Sequence, residues 1–173
     1  MESTTVSRVE LLEIERSVVV VIDLQGKLME MIHRPELVIA ATNRLLRLAD
    51  NYKVPVLLTE QYPEGLGPTH PDVQAVFDEI GTAKEYLSKT SFGCCGDAQF
   101  ESKLSALRPD IAPANRQVVV AGIEAHVCVM QTVVELLRAG NQVHLCWECI
   151  SGRGEEYRRH ALERMQQAGA QLT

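Results

Sequence analysis

No cluster of lysines or arginines runs through this sequence, and the formal net charge is -6. Nucleic acid and anionic membrane are therefore disfavoured as partners, because binding to polyanions rests on clustered basic side chains. No apolar run approaches the ~20 residues that a membrane-spanning helix requires. The opening Met1 to Arg8 shows no basic stretch leading into an apolar one, which is how a secretory leader reads. Together these absences predict a soluble, cytoplasmic protein. Internal repeats and low-complexity linkers are missing as well. The cysteine count is five, an odd number with Cys94 and Cys95 adjacent, which argues against a disulfide framework and for cysteines that mostly fill apolar space.

At 173 residues, 46% of them hydrophobic, the chain is long enough for one well-filled core and short for two, so residues 1–173 are expected to form a single domain. Ser17 to Ile22 is a continuous β-branched run, the pattern of a strand covered on both faces, and it ends at Asp23. Asp23 either caps the next turn or serves a site beyond the strand's carboxyl end. Pro35 to Tyr52 carries apolar residues at three- and four-residue steps, with Leu37, Val38, Ala41, Leu45, Leu48 and Ala49 on the inward stripe, and reads as a helix.

Val54 to Thr59 is a second buried strand, followed by a turn-rich loop in which Glu60, Gln61 and Tyr62 either line a pocket or pack on the surface. Pro71 to Ile80 reads as a helix and Glu85 to Leu87 as a brief strand, which delivers Lys89 and the small polar loop up to Gly96. Asp97 is placed to cap a helix with Phe100, Leu104 and Leu107 on its inward stripe. Arg116 to Ala121 is a strand, His126 to Ala139 a helix, Gln142 to Ile150 a strand and Glu155 to Ala168 a helix. Ala170 to Thr173 opens a further strand at the chain's end. This alternation implies parallel strands with right-handed crossovers, hence an α/β protein built as a three-layer α/β/α sandwich around a mostly parallel, Rossmann-like sheet.

The stretch Val118 to Cys128 runs a buried strand through a glycine turn into a helix whose first turn holds a thiol. Unpaired N–H groups and the positive end of the helix dipole favour thiolate there, making Cys128 the candidate nucleophile. Asp23 and Lys89 also lie just beyond strand carboxyl ends, so one sheet edge brings the three together. The ammonium would stabilise a thiolate, and the carboxylate would take the thiol proton and return it to a leaving amine.

In Val20-Val-Ile-Asp-Leu-Gln25, Lys89-Thr-Ser-Phe92 and Gly122-Ile-Glu-Ala-His-Val-Cys-Val129, the sequence resembles the isochorismatase-like cysteine hydrolases, over nearly its whole length. The Thr59 to Pro63 loop resembles the small isochorismatase-domain proteins in particular. The resemblance implies an Asp23, Lys89, Cys128 triad and a non-proline cis peptide between Ile123 and Glu124. It further implies an oxyanion hole from the backbone N–H groups of Glu124 and Cys128. The family motif often has Thr where this chain has Ala125. Retention of Cys128 leans toward covalent acyl chemistry on a C–N bond, since true isochorismatases often lack the cysteine. Leu28, Gln61, Tyr62 and Phe92 are the substrate-binding candidates.

Other constellations carry less. His126 is two residues from Cys128, about 200° away on a helix, and is expected to point elsewhere. Cys146-Trp-Glu-Cys149 has the spacing of a redox dithiol but continues a strand, where positions three apart face opposite sides, so both are expected to be structural. Zinc on Cys94, Cys95, Cys146 and Cys149 would need two loops to meet in tetrahedral geometry. Nicotinamidase relatives bind a metal through an Asp-x-His pattern where this chain has Glu60-Gln-Tyr62, so neither a metal nor a cofactor is expected. The expected function is a cysteine-dependent hydrolase of a small amide-like substrate, acting as a homo-oligomer without nucleic-acid or membrane partners. The alternative is a catalytically idle member of the fold serving as an oligomeric binding or scaffold protein.

Overall fold

The computed structural model describes residues 10–173. The reading of Met1 to Arg8 lies outside the described residues. Strand β1 (Ser17–Ile22) is buried along its whole length. Its neighbours on one side are β2 (Val56–Gln61) and β3 (Lys84–Lys89), and on the other β4 (Gln117–Gly122), β5 (Gln142–Ile150) and the two-residue β6 (Gln171–Leu172). The six strands are ordered β3-β2-β1-β4-β5-β6 and every pairing is parallel.

Successive side chains of β1 point to opposite faces, which is why the run is apolar without interruption. Val18, Val20 and Ile22 join one core, while Val19 and Val21 join the other. The short α1 (Gly26–Met29) follows β1, and α2 (Pro35–Asn51) covers the second of these faces. The brief α3 (Pro63–Leu66) follows β2, and α4 (Pro71–Glu79) packs beside α2. The first face is covered by α5 (Phe100–Leu107), α6 (Met130–Arg138) and α7 (Glu155–Gln167). This is the expected three-layer α/β sandwich. Burying each aliphatic side chain in these layers stabilises the fold by about 1.5–3 kcal/mol.

The chain builds β1, β2 and β3 in one direction and then returns to place β4 on the other side of β1. In open α/β sheets, ligands bind beyond the carboxyl ends of the strands that flank such a reversal, here β1 and β4.

Several local details depart from the sequence reading. Strand β2 runs on to Gln61, so Glu60 and Gln61 belong to the sheet, paired with Ser88 and Lys89, and not to the loop after it. On α2 the buried stripe is Val38, Ala41, Thr42, Leu46 and Ala49. Leu37 and Leu48 are exposed, because the helix is rotated toward the small residues that let it sit close to the sheet.

The largest departure is in β5. Val120 pairs with Leu145 but Gly122 pairs with Ile150, so Ala121 lies opposite the whole of Cys146, Trp147, Glu148 and Cys149. A bulge of this size breaks the two-residue alternation. Instead of facing opposite sides, the Cys146 and Cys149 sulfurs meet at 3.3 Å.

Candidate active site

Asp23 follows β1 directly, with its backbone in the left-handed region at φ 54°. Non-glycine residues adopt this conformation at a cost, and Asp is among those that tolerate it best. The conformation is held from both sides: the Asp23 N–H donates to the Thr59 carbonyl (3.1 Å), and the Asp23 carbonyl accepts from Gln25 N–H (2.7 Å). Its carboxylate is fully buried and committed on both oxygens. Oδ1 accepts the Thr59 hydroxyl at 2.7 Å, and Oδ2 accepts Lys89 Nζ at 2.7 Å.

Lys89 ends β3, two strands from β1, and its side chain must pass over β2 to reach Asp23. Two strand spacings are about 9.6 Å, so only a long cationic side chain meeting an extended partner closes the gap. The ammonium is fully buried and also donates to Gln61 Oε1 (2.9 Å) and to the carbonyls of Phe92 (3.0 Å) and Ser91 (3.2 Å). A buried charge persists only with such partners.

Cys128 lies in a single π turn, Ala125–Val129, that opens α6. The Glu124 carbonyl accepts the N–H groups of Val127 (3.0 Å) and Val129 (3.3 Å) and passes over that of Cys128. Among the described residues, the Glu124 N–H meets no protein acceptor. The peptide between Ile123 and Glu124 is cis, as the resemblance implied. Gly122 makes the approach possible: at φ 133°, a Cβ there would run into the carbonyl of Ile22 on the neighbouring strand.

The Glu124 side chain turns away from the thiol and forms a two-pronged ion pair with Arg153, at 3.0 and 3.1 Å. The turn is fastened further by Ala125 N–H to the Ser151 carbonyl, 2.7 Å.

The Cys128 thiol lies near enough to Asp23 and Lys89 for both charges to act on it, so the three side chains gather at one sheet edge. Their electrostatics differ from the sequence expectation. Burial pushes the thiol up to about 12, the nearby Asp23 charge adds to this, and Lys89 only partly opposes it. The ammonium is already paired with Asp23, so little of its field is left for the sulfur. Cys128 therefore rests as a thiol with an adjacent base, and not as a preformed thiolate.

The substrate-binding candidates separate. Gln61 is spent on positioning: its Oε1 accepts Lys89, and its Nε2 donates to the Thr90 carbonyl (2.8 Å). Tyr62 and Phe92 adjoin the triad through their backbones, Tyr62 N–H donating to the Lys89 carbonyl at 2.8 Å, while both side chains are exposed. Leu28 packs against the core on the other face of the sheet from Cys128, because α1 bends over that face. His126 stacks on Tyr157, ring centroids 5.0 Å apart, and takes no part with Cys128.

Several residues that matter here carried no separate signal in the sequence. Thr59 is an ordinary strand residue until its hydroxyl is seen on Asp23. Gln25, fully buried, binds the Gln61 backbone at both ends of its amide, Nε2 to the carbonyl (3.0 Å) and Oε1 from the N–H (2.7 Å). Thr132 links Cys94 to the nucleophile, accepting Cys94 N–H (2.9 Å) and donating to the Cys128 carbonyl (2.7 Å). Gln25 and Thr59 do fall within the stretches that carry the family resemblance, whereas Thr132 shows only as a buried polar residue on α6.

The family model of the isochorismatase domain matches residues 17–173. The chain belongs to the isochorismatase family. Members of the isochorismatase family are generally hydrolases. The chain is 38% identical over 158 residues to human isochorismatase domain-containing protein 2, covering 91% of this chain and 70% of the relative. Among solved structures it is similar to the MAR1 ribonuclease of Caenorhabditis elegans, at 33% identity and TM-score 0.79, covering 94% of this chain and 78% of that one. It shares its fold with the Escherichia coli YcaC product, an octameric hydrolase of unknown specificity, at 24% identity and TM-score 0.80, covering 94% and 76%.

The position where nicotinamidase relatives of this isochorismatase fold hold a metal does not fit one here. The Glu60 carboxylate is occupied by the Thr69 N–H (2.6 Å) and hydroxyl (2.8 Å) and by the Tyr86 phenol (2.7 Å). Gln61 is held by Lys89 and Thr90, as above.

Proposed function

We propose that the chain is a one-domain, cysteine-dependent hydrolase of a small amide-like substrate, acting through a covalent acyl-enzyme. The observation that carries this reading is the buried Asp23 carboxylate, fixed by Thr59 and Lys89 and near enough to the Cys128 thiol for its charge to act on it. With a thiol held near 12, attack and proton transfer must be coupled. Cys128 Sγ adds to the substrate carbonyl as its proton passes to Asp23. The Glu124 and Cys128 N–H groups receive the developing oxyanion. Asp23 then delivers the proton to the leaving amine, and the ion pair with Lys89 holds the carboxylate in place between steps. Water, deprotonated by Asp23, releases the acyl group and restores the thiol.

The substrate is a small neutral molecule in this reading. The triad is almost closed to solvent, Cys128 being 6% exposed and Asp23 fully buried, and the net charge of -6 opposes a polyanion. Exposed apolar side chains, Leu37, Leu48, Tyr62 and Phe92 among them, favour assembly into a homo-oligomer.

The test is a panel of small primary and N-carbamoyl amides, with an RNA oligonucleotide as a further substrate, assayed on the purified chain beside Cys128→Ala and Asp23→Asn. Release of ammonia or amine by the parent chain alone, with an acyl adduct on Cys128 in mass spectra, is the expected result. Equal turnover in all three proteins overturns the assignment. Turnover of RNA alone makes the chain a nuclease, and no turnover with intact oligomers favours the scaffold alternative.

A further inference from the structure

Cys146 and Cys149 take no part in the proposed hydrolysis. Cys149 is 1% exposed and belongs to the core beneath α2, on the opposite face of the sheet from Cys128. The β5 bulge sets the two sulfurs 3.3 Å apart, with only the exposed Trp147 and Glu148 between them in sequence. A disulfide bond is ~2.05 Å long, so closure requires about 1.3 Å of approach, within reach of side-chain rotation on a bulge.

The two thiols are unequal. Cys146 is partly exposed and Cys149 buried, so a reagent arriving from solvent meets Cys146 first. The contact with Cys149 holds the Cys146 thiol below its ordinary range, against the opposing pull of burial and Glu148, and the Arg44 guanidinium, paired with Glu148 at 3.6 Å, adds slightly to the lowering. The same contact, together with burial, pushes Cys149 far up. A reactive outer thiol backed by a buried one is the arrangement of an attacking and a resolving cysteine.

We propose that Cys146 and Cys149 form a thiol–disulfide exchange site for low-molecular-weight disulfides such as oxidised glutathione. Cys146 releases its proton to solvent and attacks one sulfur of the disulfide. That S–S bond breaks, and the first glutathione leaves as a thiolate that takes up a proton. Cys149, losing its proton, attacks the Cys146 sulfur of the mixed disulfide and expels the second glutathione, which is protonated in turn. Two protein thiols become one disulfide, and one oxidised glutathione becomes two reduced ones.

The full chain is equilibrated in glutathione buffers of increasing oxidation, blocked with N-ethylmaleimide under denaturing conditions and cleaved with trypsin. Residues 139–153 carry Cys146 and Cys149, residues 117–138 carry Cys128, and residues 90–103 carry Cys94 and Cys95, so the three groups separate. Peptide 139–153 should lose two hydrogens and exclude the maleimide, and Trp147, the one tryptophan of the chain, should report the same transition by quenching. In Cys149→Ser, glutathione should remain attached to Cys146, whereas Cys146→Ser should leave Cys149 unmodified. Recovery of peptide 139–153 with two maleimides from the parent chain in excess oxidised glutathione overturns the proposal, independently of either variant. Glutathione retained on Cys149 in place of Cys146 overturns the assigned order.

Discussion

Asp23 and Thr59 are joined twice, by backbone and by side chain. The Asp23 N–H donates to the Thr59 carbonyl at 3.1 Å, and the Thr59 hydroxyl donates to Asp23 Oδ1 at 2.7 Å. The first bond aligns the residue at the end of β1, and the second fixes the rotation of its carboxylate, leaving the remaining directions for Lys89 and Cys128. A base so confined loses little freedom in the proton transfer it is proposed to carry out.

Replacing Thr59 with Val keeps the shape and removes the hydroxyl. A hydrogen bond to a charged group contributes about 1.5–3 kcal/mol, which bounds the loss of stability. If the hydroxyl fixes the rotation of the Asp23 carboxylate, kcat should fall more than tenfold while KM changes little. An unchanged kcat would assign Thr59 to packing alone.

Lys89→Met should lower stability by about 3–5 kcal/mol in urea unfolding, because it strands the buried Asp23 charge. In the double variant Lys89→Met, Asp23→Asn most of that loss should return. A double variant as unstable as the sum of its singles would show that the ion pair is not what holds this part of the fold.

The thiols give the protein an alkaline limit. Burial pushes Cys94 and Cys128 up to about 12 from an ordinary value of 9.0. The folded state thus binds these protons more tightly than the unfolded chain. Their contribution is fully present below pH 9 and is lost as pH rises toward 12. The denaturation midpoint should fall over that window, and Cys94→Ala should flatten the decline whatever its effect at neutral pH. A midpoint that is flat to pH 11 contradicts the burial argument.

Gly122→Ala should be among the most damaging substitutions, about 3 kcal/mol or more, since φ 133° and the Ile22 carbonyl both reject a Cβ. Thermal unfolding measures it directly. Gly140→Ala is the control, because its φ of 91° brings the backbone penalty while nothing stands in the way of its Cβ. Equal losses in the two would remove the steric part of the explanation.

Much of this molecule is legible along the chain. The uninterrupted apolar run of β1 announces a strand covered on both faces, and the alternation of strand and helix dictates the parallel sandwich. Asp23, Lys89 and Cys128 stand at strand carboxyl ends, where a parallel sheet has to gather them. These are consequences of periodicity and connection, which a linear sequence carries in full. Gln61 was less legible, because the end of β2 shows no break in pattern that distinguishes a strand residue holding Lys89 from a loop residue facing substrate.

Other properties depend on what lies nearby in space, and these only the tertiary structure decided. The first turn of a helix suggested a thiolate at Cys128, but burial and the Asp23 charge push that thiol up and Lys89 only partly opposes them. Alternation suggested that Cys146 and Cys149 face apart, but the extra residues opposite Ala121 turn them together. A sequence sets the side-chain period of a strand and the order of its charges. Where that period breaks, and which charge is already paired, follow from contacts between segments distant in the chain.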